Sequence, residues 1–379
     1  MKSFVLKNKI GDLPKLKKYT CIFPGLYNYI LTKDVGMIPY TLSGKYDTKI
    51  ITYDNDNFIY MDSILKKNNF SLEILEDSGN EKEDVKRYIK KHAKSIDILQ
   101  LYHLRYNQLP HYIWTYKRNN RRGKIYLKLD ANNDYIDFLV KRKGISASMR
   151  RLYVKIMLRF VDIISIETKR NFQVLSDSNL IDKNKLIHVP NGVIKGNIPL
   201  SSKEKIILYV GFIEKKNKSI DKLLSAISNI DLKDWKVVLV GEVLDDMKSF
   251  LEEYFINHPE LKEKVILKGY ISDKEVLARE YAKSSIYCCT SIKESFGISI
   301  LESAYYGNYL ISTNVGASPD ILDETEYGTL TEIENLSNTL EYTLNNWDKI
   351  RKNPEDIQNI VYSKFSWNKI CEKIVEKIE

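Results

Sequence analysis

Residues 293–322, KESFGISILESAYYGNYLISTNVGASPDIL, carry the clearest structural signal in this chain. The apolar run before them ends at Thr290 and is typical of a strand that is buried on both faces. The next residues predict a helix from Phe296 to Tyr306, stopped by the glycine that follows it. A second apolar run, over 308–315, predicts another strand. Together these elements predict a β-α-β unit with parallel strands and a right-handed crossover.

A similar alternation of short apolar runs and helical patterns continues in both directions. In the second half the strand candidates are 206–211, 236–241, 264–269, 285–290 and 308–315. In the first half they are 19–23, 49–52, 72–75, 96–101, 124–129 and 162–166. Strands separated by helices form parallel sheets that are covered on both faces. The expected fold class is therefore α/β, with two doubly wound, Rossmann-like domains that face each other across a cleft.

One segment between the two halves has little periodicity. Residues 188–205, HVPNGVIKGNIPLSSKEK, contain two prolines, two glycines and two serines, which is typical of a linker. We therefore expect a first domain over 1–195 and a second domain over 196–361. Within the remaining residues, 362–379, apolar side chains recur at helical spacing over 362–378, which predicts a packed closing helix. Ligands of open α/β sheets bind at the carboxyl ends of the strands, so the cleft is the expected site.

Charge is shared unequally between the two halves. The 379 residues include 59 lysines and arginines and 50 acidic residues, which gives a formal net charge of +9. Residues 1–190 hold 35 basic and 20 acidic side chains, whereas residues 191–379 hold 24 and 30. A basic half suggests that the first domain faces an anionic partner, such as a membrane surface, a phosphorylated lipid or nucleic acid.

The composition disfavours zinc proteins, disulfide-rich secreted proteins and membrane-spanning proteins. The four cysteines have neither metal-ligand spacing nor a disulfide framework, so we expect free buried thiols in a reducing compartment. No apolar run approaches the roughly 18 residues of a membrane-spanning helix. The pattern at Met1–Lys9 is not that of a signal peptide. We therefore expect a cytoplasmic protein.

The start of the helix predicted at Phe296 combines the features of an anion site. Gly297 allows a ligand to approach the backbone closely, and the first amides, those of residues 297–299, have no partner within the helix. Such amides suit a diphosphate. Glu302 lies one to two turns further on, where its carboxylate can accept two hydrogen bonds from a ribose diol. Glu294 precedes the helix and can reach sugar hydroxyls, although a lone glutamate is more often an ordinary surface residue.

The same string resembles the E-x7-E signature of the retaining glycosyltransferases of family 4. The matching positions are Glu294, Phe296, Gly297 and Glu302, followed by Ala304 and Gly307. Two mild departures are Asn308, where the family usually has proline, and Gly316-Ala317, where it has a pair of glycines. The resemblance implies the GT-B fold, in which the second domain binds a nucleotide-sugar and a C-terminal helix crosses back to the first domain.

Further parts of the second half resemble the same family. The string LYVGFIEKKNKSIDKLLSAI places Gly211 in the turn after a strand and implies that Lys218 contacts the diphosphate. Without that context, Lys218 would be interpreted as a surface lysine. The string LKGYISDKEV resembles the loop that frames the base, with Tyr270 and Ile271 flanking it. Its alternative interpretation is a plain capped turn before a helix.

The match around Lys218 also departs from the family pattern. Phe212 stands where the family frequently has arginine, and Ser219 stands where it has glycine. Lys215 and Lys216 are the candidates for supplying the missing positive charge.

The first half resembles the family less strongly, as expected of a domain that binds a variable acceptor. Gly36 lies where family members have glycines near the donor phosphates. The string IDILQLYHLR, residues 96–105, resembles the family's strand that ends in a donor-facing histidine, which is His103 here. Each has a structural alternative, a helix entry for Gly36 and a structural histidine for His103. Asp54 and Asp56 form a D-x-D string far in sequence from the diphosphate site, so we assign them to a turn and expect no metal.

Residues 141–160, KRKGISASMRRLYVKIMLRF, form a basic segment with a helical pattern. Its apolar residues recur at intervals of three and four: Ile145, Met149, Leu152, Ile156 and Phe160. Such a segment can lie on an anionic membrane, and the alternative is an ordinary domain helix with a solvated basic face. The charge of the first half favours peripheral membrane contact.

The resemblance implies a retaining glycosyltransferase that moves a hexosyl unit from a UDP- or GDP-sugar to a glycan or lipid-linked acceptor, in bacterial surface-polysaccharide synthesis. The expected catalytic residues are His103, Lys218 and Glu294. The expected donor-binding residues are Gly36, Gly211, Lys218, Tyr270, Ile271, Glu294, Phe296, Gly297, Ile298 and Glu302. No enzymatic nucleophile, cofactor, metal or nucleic-acid partner is expected. The open alternatives are another GT-B enzyme, such as a nucleotide-sugar 2-epimerase, and a non-enzymatic basic binding protein.

Overall fold

The computed structural model describes residues 16–196, 198–200 and 202–379. The prediction about Met1–Lys9 lies outside these residues, as do Asn197 and Ser201 of the predicted linker. The strands of the described residues are β1 Lys18–Ile22, β2 Asp47–Thr52, β3 Phe70–Ile74, β4 Ile98–Tyr102, β5 Lys124–Leu129, β6 Ile163–Ile166, β7 Leu186–His188, β8 Glu204–Val210, β9 Lys236–Val240, β10 Val265–Gly269, β11 Ser284–Cys289, β12 Tyr309–Ser312 and β13 Gly328–Leu330.

The α-helices of the same part of the chain are α1 Asp34–Leu42, α2 Glu81–His92, α3 Leu109–Asn119, α4 Asn133–Lys141, α5 Ile145–Leu158, α6 Lys169–Asp177, α7 Ile220–Ser228, α8 Asp245–Asn257, α9 Lys274–Lys283, α10 Ile298–Tyr305, α11 Ser318–Thr325, α12 Leu336–Asn345, α13 Trp347–Ile350, α14 Pro354–Phe365 and α15 Trp367–Ile378. Several begin after a polar residue whose side chain accepts hydrogen bonds from first-turn amides, as Asp273 does for α9 and Asn353 for α14. Such caps fix where the preceding loop ends.

The strands form two parallel sheets. The first has the order β3-β2-β1-β4-β5-β6-β7, and the second has the order β10-β9-β8-β11-β12-β13. In each sheet the chain builds strands on one side of the first strand and then continues on its other side. This is the doubly wound topology of Rossmann-like folds. The predicted α/β class with two Rossmann-like sheets is therefore confirmed.

Contacts divide the described chain into two compact units. The first holds the described residues up to Leu101 and Arg105–Tyr126, and the second holds Tyr102–Leu104 and Leu127–Glu379. The division does not fall at the predicted linker, and the predicted domain limits of 1–195 and 196–361 stay a prediction.

The second sheet is buried on both faces. On one face, Ile207 of β8 belongs to a core cluster that also contains Leu223 of α7 and Leu340 of α12. On the other face, Leu208 belongs to a separate cluster with Leu301 of α10. Because neighbouring residues of a strand point to opposite faces, the continuous apolar run of β8 supplies both clusters. This double burial explains why the strands of the second half were readily recognised in the sequence.

All eleven predicted strands are found, with ends displaced by no more than three residues. The strands that the sequence patterns missed are β7 and β13, each of three residues. The central helix, α10, begins at Ile298 instead of Phe296. Gly297 adopts a left-handed conformation with φ 89°, which only glycine tolerates easily, so the helix cannot start before it.

The predicted closing helix over 362–378 is wrong as a single element. Ser366 has an extended backbone (φ −64°, ψ 140°) that separates α14 from α15. It forms a parallel bridge with Val193, whose amide donates a hydrogen bond of 2.8 Å to the carbonyl of Phe365. The break therefore lets the chain pair with the predicted linker. Next to this pairing, Trp367 of α15 lies so close to Gly192 that a Cβ there would be 2.7 Å from the indole ring.

The basic segment over 141–160 is also interrupted. It contains the last residue of α4, a short non-helical link that ends at Gly144 (φ 112°), and α5. Within the described residues, no helix has the length and apolar character required to cross a membrane.

Candidate active site

The strand order of the second sheet reverses between β8 and β11, which are direct neighbours. At such a reversal the loops after the two strands diverge to opposite faces and leave a crevice at their carboxyl ends. Gly211 is the first residue after β8, and Thr290 is the first residue after β11. The loops that contain the predicted residues Lys218 and Glu294 begin at these two positions.

Gly211 and Gly241 allow three neighbouring strand ends to meet closely. Both are in positive-φ conformations, with φ 153° and 148°. A Cβ on Gly241 would lie only 1.8 Å from the carbonyl oxygen of Gly211. The amide of Gly211 donates to the carbonyl of Val240, and the amide of Gly241 donates to that of Gly269, both at 2.9 Å. The structure therefore gives Gly211 a packing role at the carboxyl end of β8.

Lys218 and Glu294 form a direct ion pair between the two loops. The ammonium nitrogen lies 2.5 Å from Oε1 of Glu294, and the hydroxyl of Ser291 donates to the same oxygen at 2.7 Å. The side chains of Lys218 and Glu294 are 22% and 17% exposed. Both charges are therefore partly shielded from water but remain accessible to a ligand.

Backbone contacts hold the two loops together around this pair. The hydroxyl of Thr290 donates to the carbonyl of Lys218 at 2.7 Å. The amide of Ile292 donates to the carbonyl of Asn217, also at 2.7 Å. Ser219, at the family's glycine position, adopts a left-handed conformation (φ 52°) and is buried. The requirement for that conformation explains why glycine is usual there.

The start of α10 has the expected open amides. Helical bonding begins with the carbonyl of Gly297, which accepts from Ile300 at 3.1 Å. Within the described residues, the amides of Gly297, Ile298 and Ser299 donate no hydrogen bond, and all three residues are half-buried. Unpaired amides at the positive end of a helix dipole favour an anion.

The residue before this helix start, Phe296, is buried and fixes the loop behind it. Its carbonyl accepts a hydrogen bond of 2.8 Å from the amide of Ala317. Gly316 has φ 52°, and a Cβ on it would lie 2.4 Å from the same carbonyl oxygen. The glycine loop therefore packs against the backbone at the start of α10. Phe296 therefore contributes packing here, and its role toward a donor stays a prediction.

Glu302 is half-buried on α10 and is held by a tyrosine. The hydroxyl of Tyr281 donates to Oε2 of Glu302 at 3.1 Å. Tyr281 is fully buried, and burial together with the nearby Glu302 carboxylate raises the pKa of its hydroxyl well above its ordinary value. The tyrosine therefore stays a hydrogen-bond donor, and Oε1 of Glu302 is left for other partners.

Tyr270 and Ile271 follow β10, at the same carboxyl edge of the sheet. Tyr270 is 70% exposed and Ile271 is half-buried. The cap of the following helix is Asp273, which accepts from the amides of Glu275 and Val276 at 2.8 and 3.2 Å. The capped turn and an exposed aromatic ring therefore occur together in this loop.

His103 and Gly36 lie in different compact units, and each has a clear local role. His103 follows β4 with φ 60°, a left-handed conformation that is rare for a residue with a Cβ. Its amide donates to the carbonyl of Lys128 at 3.0 Å. Gly36 is buried inside α1, where a Cβ would lie 2.0 Å from the carbonyl oxygen of Leu31. Their roles toward a donor stay predictions.

Two of the other predicted charged residues, Lys215 and Asp56, have partners outside this site, and the role of Lys216 stays a prediction. The ammonium of Lys215 lies 4.7 Å from the ring centroid of Phe250, in a cation–π contact on α8. Lys216 is exposed. Asp56 accepts hydrogen bonds from the amides of Asn28 and Asn57 at 2.9 and 2.7 Å, as expected of a turn residue.

Three residues of this site were missed in the sequence. Thr290 and Ser291 hold Lys218 and Glu294, and Tyr281 holds Glu302. The signal for the first two was their place directly after a buried strand at the predicted ligand edge. Nothing in the local pattern distinguishes Tyr281, because its contact comes from another helix.

Comparison with known proteins finds a family match and several relatives. Residues 193–361 match the family described as glycosyl transferases group 1. Over 219 residues the chain is 26% identical to an uncharacterized 41.2 kDa protein in the cps region of Klebsiella pneumoniae, and the match covers 53% of this chain and 58% of that protein. Over 200 residues it is 28% identical to the phosphatidylinositol N-acetylglucosaminyltransferase gpi3 subunit of Schizosaccharomyces pombe, with coverages of 50% and 42%.

The chain thus spans about half the length of the curated relatives that it matches. Among solved structures, HepE of Anabaena in complex with UDP aligns with a TM-score of 0.68 and 14% identity. The alignment covers 96% of this chain and 99% of that chain. A likeness at this identity shows the fold alone, which is the two-sheet arrangement of GT-B glycosyltransferases.

Proposed function

We propose that the chain, whose residues 193–361 match the family described as glycosyl transferases group 1, is a retaining glycosyltransferase that takes a hexosyl unit from a UDP- or GDP-sugar. The observation that carries the proposal is the meeting of three features at one strand reversal. These are the Lys218–Glu294 ion pair, the open amides at the start of α10, and the half-buried carboxylate of Glu302. A nucleotide-sugar offers a matching series of sugar hydroxyls, diphosphate and ribose diol.

In this proposal each residue meets one part of the donor. Glu302 accepts hydrogen bonds from the ribose hydroxyls through its oxygen not used by Tyr281. The amides of Gly297 and Ile298 bind the diphosphate, and Lys218 neutralises part of its charge. Glu294 accepts from hydroxyls of the transferred sugar. Tyr270 and Ile271 frame the base.

The proposed role of these groups in the reaction is electrostatic. As the bond between sugar and diphosphate lengthens, negative charge grows on the leaving phosphate oxygens. Preorganised amides and the Lys218 ammonium stabilise that charge more strongly in the transition state than in the ground state. We propose transfer on one face of the sugar, with a leaving phosphate oxygen taking the proton of the acceptor hydroxyl. This scheme requires neither an enzymatic nucleophile nor a metal.

The acceptor is proposed to be a glycan or a lipid-linked glycan of a bacterial surface polysaccharide. Support comes from a relative in a cps region and from another whose name specifies a phosphatidylinositol acceptor. A lipid-linked acceptor would be held at a membrane, and peripheral contact with an anionic membrane through 141–160 is part of the same expectation.

The experiment that tests the proposal is a thermal-shift panel of UDP-, GDP- and ADP-sugars, followed by product analysis. A donor that binds the folded state raises the unfolding temperature by mass action. With that donor and a glycan acceptor, nuclear magnetic resonance should show a product with the anomeric configuration of the donor, formed equally well in EDTA. Inversion of configuration, dependence on a metal, or an epimerised sugar formed without acceptor would each contradict the proposal.

A further inference from the structure

Helix α5 has two apolar faces, and only one of them packs into the protein. The packed face consists of Ala147, Val154, Met157 and Leu158, none of which is more than 6% exposed. The second face consists of Ile145 (82% exposed), Met149 (62%), Leu152 (59%), Ile156 (50%) and, just after the helix, Phe160 (55%). The apolar repeat recognised in the sequence is therefore the outer face of the helix and not its packed face.

This outer face is a continuous stripe. Its members are separated by four, three, four and four residues, so they lie above one another along the helix. Tyr153, which is 45% exposed, widens the stripe by one side chain. Single exposed apolar residues are common on soluble proteins, but contiguous patches mark interaction surfaces.

The charges within the segment that carries the stripe have one sign. Residues 141–160 contain seven lysines and arginines and no acidic residue. Lys155 and Arg159 are exposed beside the stripe. Arg142 and Arg150 lie over the ring of Phe138 of α4, at 5.0 and 4.5 Å from its centroid, which fixes their cationic groups close to the start of α5.

We propose that α5 lies in the plane of an anionic bilayer and inserts its outer apolar face among the lipids. This goes beyond the adsorption of a basic segment, because the energy of insertion comes from burying the stripe and the cations add attraction to acidic headgroups. The inference deepens the membrane contact through 141–160 that is part of the proposed function, and its test requires no sugar donor.

A second copy of this chain is a poorer occupant for the stripe. A two-fold interface brings the same patch of both copies together. The exposed cations Lys155 and Arg159 of one copy would then lie close to the same cations of the other, with no acidic residue in the 141–160 segment to compensate. An anionic lipid surface complements both the apolar stripe and its charges.

The first experiment is flotation of the full chain with phosphatidylcholine vesicles, with and without phosphatidylglycerol. The test variant is Ile145→Ser with Leu152→Ser, and the matched control is Ile256→Ser, at a position on α8 that is 77% exposed. We expect the wild-type chain and the control to float with the anionic vesicles. The double variant should partition at least roughly tenfold less, because two apolar side chains no longer leave water.

Since the substituted side chains are exposed, the unfolding temperature of the double variant should stay unchanged, which keeps the comparison free of folding defects. Equal flotation of wild type and double variant would overturn the inference. So would a failure of the wild-type chain to bind the anionic vesicles, or a dimer that the double variant abolishes in light scattering.

Salt separates insertion from adsorption. High ionic strength screens the attraction between exposed cations and headgroups but leaves the burial of apolar surface intact. We expect high salt to weaken the binding of the wild-type chain to vesicles without abolishing it. Binding of the double variant Lys155→Gln, Arg159→Gln should depend less on salt. Complete loss of wild-type binding at high salt would contradict insertion.

A site-specific label reports insertion directly. The four native cysteines are all buried, so a Leu152→Cys variant can be labelled selectively with an environment-sensitive fluorophore. Anionic vesicles should shift its emission to the blue, whereas an Ile256→Cys label should not respond. An unchanged Leu152→Cys signal on bound protein would contradict insertion. Binding of UDP in solution, measured on the same variants, is expected to be unaffected and reports on the proposed function separately.

Discussion

The ammonium nitrogen of Lys218 lies 2.5 Å from Oε1 of Glu294, although the two residues are 76 positions apart. Lys218 comes from the loop after β8 and Glu294 from the loop after β11. The strands reverse their order between these two loops, so the pair marks the crevice where a donor is expected. A diphosphate that binds Lys218 must either displace the Glu294 carboxylate from the Lys218 ammonium or share that ammonium with it.

The first prediction concerns Lys218. Replacing it by methionine in Lys218→Met should lower turnover roughly 100-fold, since a group that stabilises leaving-group charge acts mainly in the transition state. The KM for the donor should change much less. Lys349→Met removes an exposed lysine of α13 and should leave both constants unchanged. Steady-state kinetics with the donor found in the panel measure the effect, and equal losses in the two variants would refute the assignment.

The second prediction concerns the coupling within the ion pair. Lys218→Met, Glu294→Gln and the double variant form a cycle in which the free energies of unfolding should not add. We expect a coupling of about 1 kcal/mol, because the pair is partly exposed and screened. Chemical denaturation measures it, and strict additivity would show that the pair does not stabilise the two loops.

The third prediction concerns ribose recognition by Glu302. Glu302→Gln keeps an oxygen for the Tyr281 hydroxyl but replaces the other carboxylate oxygen by an amide donor. Nucleotide affinity should fall roughly tenfold or more, because hydrogen bonds to a charged acceptor contribute about 1.5–3 kcal/mol. Calorimetric titration with the nucleotide measures this loss. The control is Glu341→Gln, at an exposed position. If Glu302→Gln binds the nucleotide as tightly as this control does, the ribose contact is excluded.

The fourth prediction concerns the backbone at the start of α10. Gly297 has φ 89°, and a Cβ there would lie 2.6 Å from the side chain of Ile300. Gly297→Ala should therefore lower the free energy of unfolding by about 1–2 kcal/mol and weaken nucleotide binding by displacing the open amides. At Gly25 nothing lies within 4 Å of an added Cβ, so Gly25→Ala should change neither quantity. Indistinguishable thermal and binding curves for the two variants would contradict the prediction.

The fifth prediction concerns acid stability through His188. Burial, with the nearby charge of Lys373, lowers the pKa of its ring to about 4, although the carbonyl of Glu167 accepts its hydrogen bond at 3.0 Å. Below pH 6.5 the unfolded chain gains a proton that the folded chain does not. The free energy of unfolding should therefore fall as pH decreases from about 6.5 to about 4, by roughly 3 kcal/mol from this group.

Comparison with His188→Gln is needed to isolate the contribution of His188. Burial raises the pKa of the nearby Asp320 carboxyl, so this group changes the free energy of unfolding with pH in the opposite direction. The variant should show a flatter pH profile in denaturant titrations, whereas His111→Gln, at an exposed position, should follow the wild type. Parallel profiles for the wild type and His188→Gln would contradict the predicted effect.

The strands of the second half could be predicted from the sequence because both of their faces are buried. The run ending at Thr290 is apolar from Ile286 to Cys289 and buried along its whole length, as in a strand with both faces covered. The predicted start of α10 was two residues too early, since Gly297 takes a left-handed conformation that the sequence alone does not reveal. The split of the closing helix at Ser366 was missed because a long-range pairing with Val193 overrides a continuous helical pattern.

For the site, the sequence supplied the residue types but not their partners. Glu294 and Lys218 were chosen from a resemblance, and their ion pair followed only from the meeting of two strand ends. Tyr281 could not be predicted at Glu302, because its contact depends on the packing of α9 against α10. On α5 the sequence recognised the apolar repeat, and only the fold revealed that this repeat faces outward.

The most direct test of the donor site is a crystal structure of the chain with the nucleotide that gives the largest thermal shift. The account predicts ribose oxygens at the Glu302 carboxylate and the diphosphate at the amides of Gly297 and Ile298, in contact with Lys218. A nucleotide bound away from the start of α10, with Glu294 and Glu302 both outside hydrogen-bonding reach, would contradict it.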